Sequence, residues 1–139
     1  MTLDLCQHQH HDTVFHKLNG QLAFLDFAVL MLERDHNDRR VVNQMLRSVQ
    51  TIRSTSRRLD DPEVEQFALE LEELLSQMRD DVITISDSVI RLLRRCVDAL
   101  ESGVESLRLG LPLPSTLDDE RFNLQDMLAQ ANETIMSDY

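Results

Sequence analysis

The sequence is poor in the residues that interrupt helices. Its 139 residues include three glycines and three prolines, with one tyrosine and no tryptophan, while apolar residues make up 42%. So few glycines and prolines argue against the many tight turns of a small β-protein, and the apolar content argues against a disordered chain. The length is sufficient for one domain with its own core. Together these features favour a compact all-helical domain.

Cationic side chains are also scarce. The chain has 14 lysines and arginines against 25 aspartates and glutamates, a formal net charge of −11. The arginines stand among carboxylates, so we expect no nucleic acid and no membrane surface as a partner, since both require clustered cations. No apolar run approaches the length of a bilayer, and the polar start lacks the pattern of a signal peptide. We expect a cytoplasmic protein, and the acidic charge favours a monomer.

Cysteine occurs only at Cys6 and Cys96, without a CxxC pair. We therefore expect two free thiols in a reducing compartment. Near the start, four side chains are suitable ligands for a soft divalent metal: Cys6, His8, His10 and His11. Their spacing matches no ordered site. We predict no metal and no cofactor, and a flexible polar tail over residues 1–11.

From residue 12 to residue 137 the chain shows helical periodicity. Apolar residues recur at three- and four-residue steps in five segments. The predicted helices span about 12–34, 39–57, 63–79, 87–107 and 116–136. The turns between them are short, which favours an antiparallel four-helix bundle with an additional fifth helix over an extended coiled coil.

Two helices carry the features that matter most for function. In the first, Phe24, Phe27, Ala28 and Met31 widen the core stripe into a face that we expect to contact more than one neighbour. In the second, Val42, Met45, Leu46, Val49 and Ile52 form the predicted core stripe. Its polar stripe should face solvent and consists of Asn43, Arg47, Gln50, Ser54 and Arg57.

The segment Gln50-Thr-Ile-Arg-Ser-Thr55, on the polar side of the second helix, resembles the active-site motif of histidine phosphotransfer (HPt) domains. The resemblance is to the N-terminal phosphotransfer domain of CheA-type chemotaxis kinases, where the motif reads H-[ST]-[IL]-K-G-[GS]. The run that leads into it, Asn37-Asp-Arg-Arg-Val-Val-Asn-Gln-Met-Leu-Arg-Ser-Val49, is similar to runs in the same family. The resemblance covers most of the chain. It implies an HPt-type bundle that acts in bacterial two-component signalling.

The resemblance also assigns roles to individual positions. The phosphoaccepting histidine falls on Gln50, and the lysine that helps to neutralise the phosphoryl group falls on Arg53. The glycine after it falls on Ser54. A second histidine, on the third helix, falls on Leu69, and the glutamate that orients the imidazole falls on Glu72.

These substitutions imply a domain that binds partners and carries no phosphate. Phosphotransfer requires a nucleophilic imidazole nitrogen, whereas the lone pair of the Gln50 amide nitrogen is delocalised into its carbonyl group. We therefore predict no catalytic residue and no enzyme activity. The predicted partner is a response-regulator receiver domain or a histidine kinase. The predicted contact face consists of Gln50, Arg53, Ser54, Arg57, Leu69 and Glu72.

Three alternatives remain open at this stage. The chain could relay phosphate through His16 or His36, although neither lies in a motif of the HPt type. It could be an architectural bundle from a longer CheA-like protein. Glu72 could also be one member of a solvated acidic face together with Glu70 and Glu73.

Overall fold

The structure, a computed structural model, describes the backbone of residues 2–137 and the side chains of residues 12–133. Five α-helices follow one another: α1 (Thr2–Arg34), α2 (Arg39–Ser56), α3 (Pro62–Arg79), α4 (Asp87–Leu109) and α5 (Ser115–Ser137). A short 3-10 helix, Arg57–Leu59, continues from α2. Between residues 2 and 137 there is no strand, and no helix there is long and apolar enough to cross a bilayer. The predicted all-helical class is confirmed.

The first four helices form an antiparallel bundle. α2 packs between α1 and α3, and α4 packs on α1 and α3. Contacts between distant residues show the direction of the helices: Arg57, just after α2, pairs with Glu65 at the start of α3. Arg94 on α4 pairs with Glu33 near the end of α1. The helices enclose one apolar core.

α5 packs across α3 and α4, and polar contacts fasten it there. Glu70 of α3 is 6% exposed. It accepts hydrogen bonds from Arg121 Nε at 3.0 Å and from Gln125 Nε2 at 2.9 Å. α4 and α5 approach closely where Gly103 of α4 faces Leu117 at the start of α5. A Cβ atom on residue 103 would lie 2.7 Å from Leu117 Cδ1, so glycine permits this approach. The fifth helix is thus an integral part of the bundle.

The helix ends follow the capping residues that the sequence contains. The side chains of Asp38, Asp61 and Ser86 accept hydrogen bonds from backbone N–H groups in the first turns of α2, α3 and α4. Pro62 occupies the first turn of α3, where its missing N–H costs nothing. α4 extends two residues beyond its predicted end, because Gly110 (φ 70°) supplies the left-handed residue that terminates it.

The start of α1 differs from the predicted boundary. The helix begins at Thr2, whereas the apolar pattern predicted a helix from about residue 12. The side chains of residues 1–11 lie outside the described part of the chain, including those of Cys6, His8, His10 and His11. The division into a tail and a bundle therefore stays a prediction, as does the absence of metal from the tail.

The predicted placement of Phe27 is wrong. Its side chain is 58% exposed instead of lying against a neighbouring helix. α1 packs on α2 and α4, and its core residues, such as Leu25 and Leu32, face the bundle axis. At about 100° per residue, Phe27 lies roughly 200° around the helix from Leu25, on the side that no helix covers.

Cys96 lies in the core as a free cysteine. Burial raises the pKa of its thiol, because a thiolate there would lack solvation. The thiol therefore stays protonated and unreactive, and Cys96 acts as an apolar packing residue of α4.

Candidate functional site

The outer face of α2 presents the polar stripe that the sequence predicted. Its members are all exposed: Asn43, Arg47, Gln50, Ser54 and Arg57. The opposite face is buried in the core and includes Val42, Met45, Val49 and Ile52. The packing of one face thus holds the helix rigidly while it leaves Gln50 accessible.

Three side chains from α2 and α3 form a connected group at the centre of this face. Gln50 Nε2 donates to Glu72 Oε1 at 3.2 Å. Arg53 Nε lies 2.8 Å from the other oxygen, Glu72 Oε2. The side chains of Arg53 and Glu72 are 28% and 17% exposed, so the pair is largely shielded from water. We refer to Gln50, Arg53 and Glu72 as the Gln50 cluster.

Two turns after Gln50, the 3-10 helix that continues α2 makes a second contact with α3. Arg57 Nε lies 2.6 Å from Glu65 Oε1. Gln50 and Arg57 are seven residues apart, and so are Glu65 and Glu72. Because α2 and α3 run antiparallel, these equal spacings bring both contacts into register. The sequence interpretation missed Glu65, although the matched spacing could have identified it.

Ser54 and Leu69 complete the predicted contact face. The Ser54 hydroxyl donates to the backbone oxygen of Thr51 at 3.1 Å and is exposed. Leu69 is half-buried and lies on α3 between Glu65 and Glu72. The six predicted residues therefore lie on the adjoining faces of α2 and α3, with one apolar side chain among the polar ones.

The three neighbouring glutamates of α3 have different environments. Glu70 is buried against α5, and Glu73 is exposed. The Glu72 side chain faces α2, where it accepts a hydrogen bond from Gln50 and forms an ion pair with Arg53. The alternative in which Glu72 belongs to a solvated acidic face is therefore wrong.

α2 is locally cationic in an acidic protein. Between Arg39 and Ser56 it carries four arginines and no carboxylate. Arg40 and Arg47 are exposed on the same outer surface as Gln50. The interpretation that the arginines are interspersed with carboxylates does not hold within this helix. Arg39 and Arg53 are paired with Asp81 and Glu72, so Arg40 and Arg47 carry the net positive charge of its outer face.

The two histidines whose side chains are described are on elements other than the two helices that form the Gln50 cluster. His16 is exposed on α1. His36 is in the turn between α1 and α2, with Nε2 3.4 Å from Asp87 Oδ1. His36 lies next to the start of α2, whereas Gln50 is eleven residues beyond that start, about 16 Å along the helix axis. Neither histidine has an arrangement like that around Gln50.

The Gln50 cluster offers hydrogen-bonding groups and charge. The amide of Gln50 both donates and accepts hydrogen bonds, and Arg53 supplies positive charge beside it. Among the side chains of residues 12–133, the group of carboxylates that could hold a metal is elsewhere, between α1 and α4. We find at this face a polar, preformed surface and no nucleophile of the imidazole type.

Comparison with known proteins gives a consistent result. No family model matches the chain. Over 105 residues it is 25% identical to the chemotaxis protein CheA of Treponema pallidum (strain Nichols). This match covers 76% of the chain and 13% of that much longer protein.

The fold comparison covers more of the chain. The structure resembles the crystal structure of the phosphorylated P1 domain of CheA3 in complex with CheY6 from R. sphaeroides, with a TM-score of 0.80 and 19% identity. The match covers 89% of this chain and 98% of that domain. The chain therefore has the HPt-type helical-bundle fold of a CheA P1 domain, and its sequence is similar to that of a CheA protein.

Proposed function

We propose that this chain is an HPt-like docking module that binds a partner in two-component signalling without carrying a phosphoryl group. The module comprises residues 12–137. Its partner is a response-regulator receiver domain, with a histidine kinase as the other candidate. The contact face is the one formed by Gln50, Arg53, Ser54, Arg57, Leu69 and Glu72.

The observation that carries the proposal is the Gln50 cluster. Glu72 holds the Gln50 amide at an exposed position of α2, where the resemblance to HPt domains expects a phosphoaccepting imidazole. An amide nitrogen does not attack phosphorus, because its lone pair is delocalised. The orienting glutamate and a positive charge are thus retained while the acceptor atom is absent, which favours binding over phosphotransfer.

The character of the face supports a protein partner. Arg40 and Arg47 are exposed and give the α2 surface positive charge that would orient an acidic partner, whereas Arg53 is already paired with Glu72. Leu69 offers apolar contact area beside the polar groups. The solved relative of similar fold is in complex with CheY6, which makes a receiver domain the first partner to test.

Two measurements test the proposal. Receiver domains from the same genome would be labelled with radioactive acetyl phosphate and mixed with the wild type, with Gln50→His and with Gln50→His combined with Ser54→Gly. We expect no acid-labile, base-stable label on the wild type and label on at least one histidine variant. Calorimetry with the same receivers should show binding to the wild type and a loss of about tenfold or more with Arg53→Glu plus Leu69→Glu.

Matched variants control for charge and hydrophobicity. Arg91→Glu and Leu111→Glu change exposed residues of the same types far along the chain and should leave binding unchanged. Label on the wild type would contradict the proposal, and His16→Gln and His36→Gln would then locate the acceptor. If no receiver and no kinase catalytic domain binds, the bundle has an architectural role instead.

A further inference from the structure

α1 carries an apolar stripe on the side that faces away from the core. Phe27 and Leu30 are 58% and 49% exposed, and Ala23 is exposed one turn before Phe27. At Gly20 an added Cβ would meet nothing within 4 Å, so the surface there is open. These four residues follow one another at steps of three and four, and they form a seam of about 15 Å along the helix. We call Gly20, Ala23, Phe27 and Leu30 the α1 stripe.

The arrangement of the α1 stripe suits a packed helix. Single exposed apolar residues are common on protein surfaces and need no partner. Here two large side chains lie in line with two small ones, which is the pattern of projections and recesses that helices use when they pack along each other.

A cluster of carboxyl groups with little compensating positive charge borders the stripe on its α4 side. Carboxylate oxygens of Asp26, Asp98 and Glu101 all lie within 4.8 Å of one another. Glu101 Oε1 is buried, and as a carboxylate oxygen it finds no hydrogen-bond donor among the described residues. Arg94, the cation that acts on Glu101, is paired with Glu33 at 3.3 Å.

The titration of Glu101 agrees with a shortage of positive charge at this edge. Burial, together with the neighbouring Asp26 and Asp98, raises the pKa of Glu101 to about 8. A cation brought to this position would lower the electrostatic cost of holding the three carboxyl groups together.

We propose that the α1 stripe docks an amphipathic helix of a partner protein, whose apolar face is bordered by lysine or arginine. The apolar face of that helix would cover Phe27 and Leu30, and a basic side chain at its edge would reach Asp98 and Glu101. This surface lies on α1 and α4, whereas the Gln50 cluster lies on α2 and α3. The inference therefore stands independently of the proposed function.

Charge favours such a partner over a second copy of this chain. Between residues 18 and 33, α1 contains no lysine, arginine or histidine. A second α1 packed on the stripe could not neutralise the carboxylates in either orientation. In an antiparallel pair the acidic edges of the two copies would also face each other and repel.

The test titrates two synthetic amphipathic helical peptides into the full chain and monitors its amide chemical shifts by NMR. Both peptides have the same leucine face, one bordered by lysine and the other by glutamate. We expect the lysine peptide to bind and to shift amides of residues 20–30 and 94–101. Phe27→Gln plus Leu30→Gln should weaken binding about tenfold or more, and Asp98→Asn plus Glu101→Gln should weaken it severalfold.

Control variants separate this site from general attraction to an acidic protein. Leu109→Gln plus Leu111→Gln removes equally exposed leucines, and Asp118→Asn plus Asp119→Asn removes exposed charges from α5. Neither should change the affinity. Equal loss with test and control variants, or equal binding of the glutamate peptide, would overturn the proposal. A dimer in sedimentation that Phe27→Gln plus Leu30→Gln dissociates would overturn it too, since the occupant would then be a second copy.

Discussion

At the scale of single residues, Glu72 determines the shape of the candidate site. It accepts from Gln50 on one oxygen and faces Arg53 with the other, so the two α2 side chains are held by a single carboxylate of α3. Arg53 Nε and Glu72 Oε2 are both buried and lack hydrogen-bond geometry, so their 2.8 Å contact is an ion pair, and water cannot replace Glu72 without a rearrangement. The same contacts that prepare the binding surface thus also contribute to stability.

We expect Glu72→Ala to lower the free energy of unfolding by about 1–2 kcal/mol, because a shielded guanidinium loses its partner. Glu73→Ala is the matched control: this glutamate is the next residue of α3 and is exposed, so its loss should cost less than about 0.5 kcal/mol. Urea denaturation of both variants measures the difference. Equal stability of the two would show that the Arg53–Glu72 contact contributes nothing.

At the scale of helices, glycine has opposite effects at two positions of the chain. Gly110 ends α4 with φ 70°, where its N–H and that of Leu111 bond to carbonyl oxygens of the last turn. Gly20 lies inside α1 with open space around it. A side chain is strained at the first position and favoured at the second.

We therefore expect Gly110→Ala to destabilise the protein by about 1 kcal/mol or more and Gly20→Ala to stabilise it by about 0.5–1 kcal/mol. The two variants add the same methyl group, so hydrophobicity does not account for a difference in sign. Thermal unfolding followed by circular dichroism is the measurement. A stabilising Gly110→Ala would mean that α4 ends by another mechanism.

At the scale of the whole molecule, the carboxyl groups between α1 and α4 couple folding to pH. The Glu101 carboxyl can donate a hydrogen bond to Asp26 only while it is protonated, since two carboxylates offer only acceptors. Burial first, and then this hydrogen bond and the charges of Asp26 and Asp98, raise its pKa from 4.5 to about 8, while Arg94 acts in the opposite direction. The folded protein therefore holds a proton that the unfolded chain releases.

The sign of the pH dependence follows. The stabilisation from the Glu101 proton is fully present below about pH 4.5, declines as the pH rises, and is lost above about pH 8. Glu101→Gln, which is neutral throughout, should lack this decline, so its stability relative to the wild type should increase between these values. Urea titrations at several pH values, with Asp119→Asn as an exposed control, measure it. Parallel curves for wild type and Glu101→Gln would contradict the expectation.

The sequence by itself determined the helices and the placement of Gln50. Apolar steps of three and four residues, with Asp38, Asp61 and Ser86 as caps, predict the five helices and the centre of the face that each one buries. These are local properties, because the backbone hydrogen bonds of a helix and the spacing of its apolar stripe both lie within one segment of the chain. The likeness of the Gln50 segment to a motif could be recognised for the same reason, because its residues are neighbours in the chain.

Only the tertiary structure decided which residues meet across helices. The pairing of Glu72 with Gln50 and Arg53, the contact of Glu65 with Arg57 and the burial of Glu70 against α5 all depend on how the helices are rotated and shifted. The exposure of Phe27 has the same origin: an apolar residue is buried only where a neighbour covers it, and α1 has neighbours on one side. The apolar periodicity shows which side of each helix faces the core. The packing of neighbouring helices determines how many residues on that side are buried.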